Sequence, residues 1–194
     1  MSAERELAPL VLIVSGPSGS GKSTLVQRIL ELPGTMPSIS CNTRSRRATE
    51  AGGKCYDFVT EAEFDAMVAR GEFLEYARVF GKHSYGTPKK WLEESRKKRL
   101  DLILEIDVQG AAQVKEKLPE SVAIFILPPS RAELERRLRG RGQDSDEEIA
   151  RRLAKARDEI AAFGRYYDYC VVNENVDQAG RESQAIVMAI RCSA

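Results

Sequence analysis

The chain has 194 residues, 42% of them apolar and 30% charged, with a formal net charge of +1. That length suits one domain with insertions, and the apolar share excludes a disordered chain. Near charge balance argues against a nucleic-acid coat, which carries a basic excess, although it leaves room for local basic sites. Cys41, Cys55, Cys170 and Cys192 are too far apart for a zinc knuckle or a CxxC pair and read as free thiols of a reducing cytoplasm. No apolar run approaches membrane-spanning length. Glu4 and Glu6 precede the first apolar run, with no small-residue cleavage site, which is unlike a leader peptide. The expected setting is therefore cytoplasmic, without membrane or nucleic-acid partners, and oligomeric state stays open.

Residues 10–14, LVLIV, predict a buried strand. After a Gly/Ser-rich turn, KSTLVQRILEL has helical spacing, with Leu25, Ile29 and Leu32 on one face. PSIS predicts extended chain, 41–55 a polar loop, and YDFV a short strand. Thr60 opens TEAE, a capping box with Glu63, and the helix over EFDAMVARG is expected to end at Gly71. EFLEYARVF alternates weakly and predicts a strand. Thr87 and Pro88 read as N-cap and first residue of a helix through KKWLEESRKK. LDLILEIDV and VAIFIL predict two more buried strands. SRAE at 130–133 and SDEE at 145–148 predict capping boxes on either side of the basic loop RGRGQD. DYCVVN predicts the last strand and VDQAGRESQAIVMAIR a terminal helix. The alternation implies an α/β fold, a parallel sheet flanked by helices on both faces. Polar inserts at about 38–90 and 130–155 project from it.

Residues 16–23, GPSGSGKS, fit G-x-x-x-x-G-K-[ST] between a strand and a helix. Glycines let backbone N–H groups turn toward one anion, and the helix start adds positive dipole. Lys22 can reach the β- and γ-phosphates, and the Ser23 hydroxyl can meet Mg²⁺. This loop points to a nucleoside triphosphate and suits a GTPase, an ATPase or a small-molecule kinase equally.

Four further stretches belong together: SISCNTRSRRATEAGGKCYDFV at 38–59, FLEYARVFGKHSYGT at 73–87, LILEIDVQGAAQV at 102–114 and GRGQDSDEEIARRL at 140–153. In words, order and gaps they resemble the guanylate kinase family over nearly the whole chain. The resemblance implies a P-loop NTPase core (8–37, 91–129 and 156–194), a GMP-binding insert (38–90) and a helical lid (130–155). It implies transfer of the γ-phosphoryl group of ATP to GMP, and by extension to dGMP, with Mg²⁺. Gly16, Pro17, Ser18, Gly19, Ser20, Gly21, Lys22, Ser23 and Thr24 would hold ATP, with Ser23 on the metal and Asn173 near the adenine. Ser40, Arg44, Arg47, Tyr56 and Tyr85 match positions that hold the GMP phosphate. Glu75, Thr87 and Asp107 match those facing guanine. Arg137, Arg141 and Arg152 match lid arginines near the transferred group, catalytic with Lys22 and Arg44. The chain departs from the family pattern at Thr49, at Cys41 and in a GKHSYGT loop one residue longer than its commonest form.

The residue chemistry fits this reading. A nucleoside monophosphate is largely dianionic near neutrality, so its oxygen is already nucleophilic and no general base is needed. The obstacle is bringing two polyanions together, and arginine forks suit phosphate. Guanine offers N–H donors at N1 and N2 that Glu75 can accept, while adenine would leave a buried carboxylate unpaired. Asp107 can support those donors and also cap the next helix, and the Thr87 hydroxyl can donate to O6. Arg46 reads as solvated and Trp91 as packing. A protein-interaction scaffold that has lost catalysis, and a kinase of another monophosphate or a phosphorylated metabolite, are the alternatives.

Overall fold

The computed structural model describes residues 8–46, 56–79, 83–140, 142, 144–161 and 163–193. Of the expected site residues, Arg47 and Arg141 lie outside that set, as do Thr49 and Cys55. The chain opens with β1 (Val11–Ser15), α1 (Lys22–Leu30) and β2 (Thr35–Pro37). The insert follows as β3 (Ser40–Asn42), β4 (Tyr56–Phe58), α2 (Glu61–Ala69), β5 (Phe73–Val79) and β6 (His83–Pro88). Then come α3 (Lys90–Lys98), β7 (Asp101–Glu105), α4 (Val108–Lys117) and β8 (Val122–Leu127). Helices α5 (Arg131–Gly140) and α6 (Asp146–Ala161) precede β9 (Tyr169–Val172) and α7 (Val176–Ser193).

A five-stranded parallel sheet runs β2-β7-β1-β8-β9, with the phosphate-loop strand at its centre. Side chains alternate across it. Leu12, Val14, Ile103, Ile124 and Ile126 cluster with Leu25 and Ile29 of α1 and Val187 of α7. Val11, Ile13, Leu102, Leu104 and Ala123 cluster on the other face with Ala111 and Val114 of α4. Both faces are covered, so the strands read as unbroken apolar runs rather than alternating ones. Each fully buried aliphatic side chain contributes about 1.5–3 kcal/mol.

The insert carries a sheet of its own, ordered β4-β3-β6-β5, with one parallel pair and two antiparallel pairs. Its core is small: Phe64 of α2 stacks on Phe73 at 4.5 Å between ring centroids, beside buried Cys41. It is fastened to α4 by reciprocal bonds. Tyr76 N donates to Gln113 Oε1 (3.2 Å), Gln113 Nε2 to Tyr76 O (2.8 Å) and Lys117 Nζ to Leu74 O (2.5 Å).

Three local expectations change. Thr87 and Pro88 end β6 rather than starting α3, which begins at Lys90 without a side-chain cap. The Thr87 hydroxyl is drawn instead to a buried carboxylate, a stronger partner than an exposed helix end. PSIS is split, because β2 ends at Pro37 and β3 starts at Ser40. The Thr60 box is complete, but at 130–133 and 145–148 only the serine half forms: Glu133 N donates to Ser130 Oγ and Glu148 N to Ser145 Oγ. Glu133 and Glu148 turn to arginines one turn along their own helices.

Candidate active site

The donor side is built where β1 hands over to α1. Gly21 stands at the N-cap of α1 in the left-handed region (φ 95°), and a Cβ there would collide with the Asn173 amide. Glycine is therefore required twice, by conformation and by close approach. Lys22 Nζ donates to the carbonyls of Gly16 (2.7 Å) and Pro17 (3.1 Å), folded over the loop it serves. Ser23 and Thr24 are exposed on the first turn of α1. Ser23 Oγ donates to Glu105 Oε1 at 2.6 Å.

Glu105 escaped the sequence reading. Its signal was available: a charged residue ends the otherwise buried run of β7, at the carboxyl edge beside Val14 of β1, where open α/β sheets bind ligands.

Asn173 is buried, donates Nδ2 to Ser20 O (2.8 Å) and lends its own carbonyl to Arg137 Nη2 (2.9 Å). Arg137 Nε is held by Glu133 at 2.7 Å, and the bonds from Arg136 and then Arg137 hold that carboxyl down at about 2. Both residues line a cleft of about 550 Å³ with Gly19, Gly21, Gly140, Glu174, Asn175 and Val176. Asn173 thus supports the phosphate loop from beneath as well as walling the cleft. Arg137 sits with it on the same wall.

The acceptor side is a rung of the second sheet. Tyr56 pairs with Ser40, Ser40 continues the β3–β6 register to Thr87, and Thr87 pairs with Glu75. Cross-strand partners share a face, so four residues from separate strands line up. Ser40 Oγ and Thr87 Oγ1 are 3.1 Å apart, and Thr87 Oγ1 donates to Glu75 Oε1 at 2.7 Å. In this arrangement the single Thr87 proton goes to Glu75. A register shift between Phe73 and Glu75 marks a bulge. It turns Phe73 to the α2 side while Glu75 faces the rung.

Glu75 is fully buried, and its Oε2 has no hydrogen-bond partner among the described residues. Burial pushes its carboxyl up to about 7, against the Thr87 hydrogen bond and with Asp107 adding to the rise. Gly110, in the first turn of α4, makes room for it: a Cβ there would lie 2.6 Å from Oε2. Asp107 caps α4, accepting from Gly110 N at 3.0 Å, as its double reading allowed.

The next rung carries Phe58, Asn42 and Tyr85. Arg44 lies with its guanidinium 5.4 Å from the Tyr56 ring centroid and 5.3 Å from that of Phe58, and its backbone N–H donates to Asn42 Oδ1. Exposed Arg46 rests over Phe58 at 4.9 Å. Tyr85, matched to a position that holds the GMP phosphate, meets Asp107 in this structure. Burial, then Asp107 and a hydrogen bond to it, hold its phenol well above the ordinary range. Residues 85 and 87 share a face of β6, so Tyr85 stands on the same face as Thr87. Trp91 packs against the core and donates to Ile39 O at 2.8 Å.

From the lid, Arg152 Nη1 donates to Ser18 Oγ and Nη2 to Asp144 Oδ1, both at 3.0 Å. Its Nε is buried without a hydrogen-bond partner among the described residues. The phosphate loop, the second sheet and α6 thus each carry buried or half-buried polar groups, among them Ser20 Oγ, Glu75 Oε2 and Arg152 Nε, which have no hydrogen-bond partner among the described residues. Among the described residues no cluster of three or more His, Cys, Asp or Glu could hold a metal. Ser23 and Glu105 still fit Mg²⁺, which prefers one or two hard protein oxygens alongside phosphates and water. No helix among the described residues is long and apolar enough to cross a membrane.

A family model described as guanylate kinase matches residues 9–189. The chain is 49% identical over 182 residues to a guanylate kinase of Vibrio parahaemolyticus, covering 92% of this chain and 87% of that protein. It is 47% identical over 194 residues to one of Myxococcus xanthus, covering 99% and 92%. The crystal structure of a guanylate kinase from Anaplasma phagocytophilum matches with a TM-score of 0.76 at 36% identity, over 94% of this chain and 86% of that one.

Proposed function

The chain belongs to the guanylate kinase family and catalyses ATP-dependent phosphorylation of GMP; from that premise we propose how its residues divide the work. ATP lies with its phosphates on residues 16–24 and its base in the cleft walled by Arg137, Asn173 and Val176. Ser23 and Glu105 hold Mg²⁺, which screens the charge of the triphosphate when bound. Lys22 leaves the loop carbonyls for the phosphates, a move of one side chain.

GMP lies along the second sheet. Arg44 and Tyr56, with Arg47 beyond the described residues, grip its phosphate. Glu75, Asp107 and the Ser40–Thr87 pair read the base. The buried Oε2 of Glu75, which has no hydrogen-bond partner among the described residues, is the observation that supports this reading, since a carboxylate left so can accept N1–H and N2–H. Thr87, donating to Glu75, also fixes the rotamer of that carboxylate.

The reaction is largely positioning. The GMP dianion needs no base, and the barrier is charge repulsion between two phosphates held in line. Arg152, anchored to Ser18, supplies positive charge where it develops, with Arg141 as a further lid donor. Closing the lid also excludes water as a competing acceptor. Helix α6 runs unbroken through the expected lid boundary at 155/156. The proposed setting is cytoplasmic GMP recycling, with dGMP as a second acceptor.

A coupled ADP-release assay with GMP, dGMP, AMP, UMP and CMP tests the assignment. GMP should give the dominant signal and AMP a rate lower by about 10²-fold or more, the loss expected for an unpaired buried acceptor. A chain that releases no ADP in response to GMP refutes it.

A further inference from the structure

One face of α6 meets both nucleotide sites. Arg152 reaches Ser18 of the phosphate loop. Three residues on, Lys155 Nζ lies 3.5 Å from Asp107 Oδ2 and 3.4 Å from Glu159 Oε1. Glu159 follows a turn later, held above the ordinary carboxylate range first by burial, with Lys155, Lys22 and Asp107 all acting on it. Positions 152, 155 and 159 are spaced i, i+3, i+7, a single helical stripe. Within one helix, Arg152 and Lys155 cannot be placed independently. Seating Lys155 against Asp107 also sets where Arg152 meets the donor phosphates.

Asp107 belongs to the acceptor side, between Tyr85 and Glu75. With water present, a half-exposed lysine on a carboxylate is a weak tie. A base laid over Asp107 displaces that water and strengthens the same pair, because attraction between fixed charges rises as the local dielectric falls. Nothing in the local pattern singles Lys155 out, since it lies among the other charges of ARRLAKARDE.

We infer that Lys155 is the acceptor-side anchor of the lid: a positioning residue that, through Asp107, makes the seating of Arg152 on the donor phosphates depend on an occupied guanine site. The inference rests on the GMP assignment above. It adds a specific route by which the acceptor commits the donor, and by linkage the donor tightens the acceptor equally.

The test is calorimetric titration of β,γ-imido-ATP with Mg²⁺, with and without saturating GMP, into wild type, Lys155→Met and Lys155→Arg. In wild type, GMP should tighten analogue binding by about fivefold or more. In Lys155→Met that ratio should fall to near one, while analogue affinity without GMP changes less than about twofold, the range of an exposed-pair loss. Lys155→Arg should restore the ratio. A wild type without coupling, a Lys155→Met ratio equal to wild type, equal weakening with and without GMP, or failure of arginine to rescue would each overturn the inference. GMP-dependent ADP release by the same preparations separates this outcome from failure of the GMP assignment itself.

Discussion

Glu75 sets the behaviour of the acceptor site through one proton. Its carboxyl is raised from 4.5 to about 7, chiefly by burial. Between those values the folded chain holds a proton that the unfolded chain has lost. The stability associated with that proton is complete below about pH 4.5 and falls as pH rises to about 7, by roughly 3 kcal/mol at most. Guanine needs the ionised form, so GMP binding below pH 7 must expel the proton. KM for GMP should therefore rise as pH falls from 7, by up to about tenfold per unit, with KM for ATP nearly flat. In Glu75→Gln the rise should begin only near the monophosphate's own pKa of about 6, with KM for GMP raised at all pH values. Parallel pH profiles in the two proteins would remove Glu75 from the base contact. Tyr56, Ser40, Thr87 and Glu75 were legible in the sequence because they lie in recognisable words. The bonds they make were not, because strand register decides which way a hydroxyl points. Lys155 stands in a segment full of charge and Glu105 at the end of an apolar run, and only the fold shows what each touches.

The insert is an element with its own small core, so it can fail without the rest. Phe64 is fully buried between α2 and the second sheet, stacked on Phe73. Phe64→Ala should cost the insert about 3–5 kcal/mol, the usual cost of emptying a buried aromatic site. The parallel sheet keeps its own two clusters, one of which takes in only Leu74 from the insert, and should persist. Titration should then show GMP affinity lost while imido-ATP affinity stays within about twofold. Equal loss of both ligands would mean that the two sheets unfold as one. Sequence periodicity found β1, β7 and β8, which are buried on both faces, and the more exposed β9, but not the three-residue β2, which the expected extended stretch PSIS meets only at Pro37. It read β5 only weakly, and the bulge explains this: one extra residue reverses the alternation between Phe73 and Glu75. The half-formed boxes of α5 and α6 have a similar cause, since arginines on the same helix outcompete the cap for Glu133 and Glu148.

At the scale of the whole molecule, the two ends of the core meet on one carboxylate. Asp101 accepts from Leu10 N at one oxygen and from Arg191 Nε at the other, each at 2.8 Å. Arg191 also donates to Pro33 O. Arg191→Met strands a mostly buried acid and should lower stability by about 1–3 kcal/mol, a value tempered by the exposure of the pair. Denaturant melts should show the loss while KM for both nucleotides stays unchanged, because the tie is remote from both sites. Altered KM values would mean that the terminal helix reaches further than its contacts suggest. The α/β class and the order of parts were readable from the alternation of elements. The independence of the second sheet was not, because sheet membership depends on pairings far apart in sequence. That second sheet has a metric consequence. Its four site residues are partners across neighbouring strands, so the span from phosphate grip to base reader is three strand spacings, about 14 Å. Such a gauge does not stretch with rotamers and changes only by a whole strand or a slipped register. The acceptor is therefore measured end to end by backbone hydrogen bonding, and the product, one phosphate longer, is left in a frame cut for a shorter molecule.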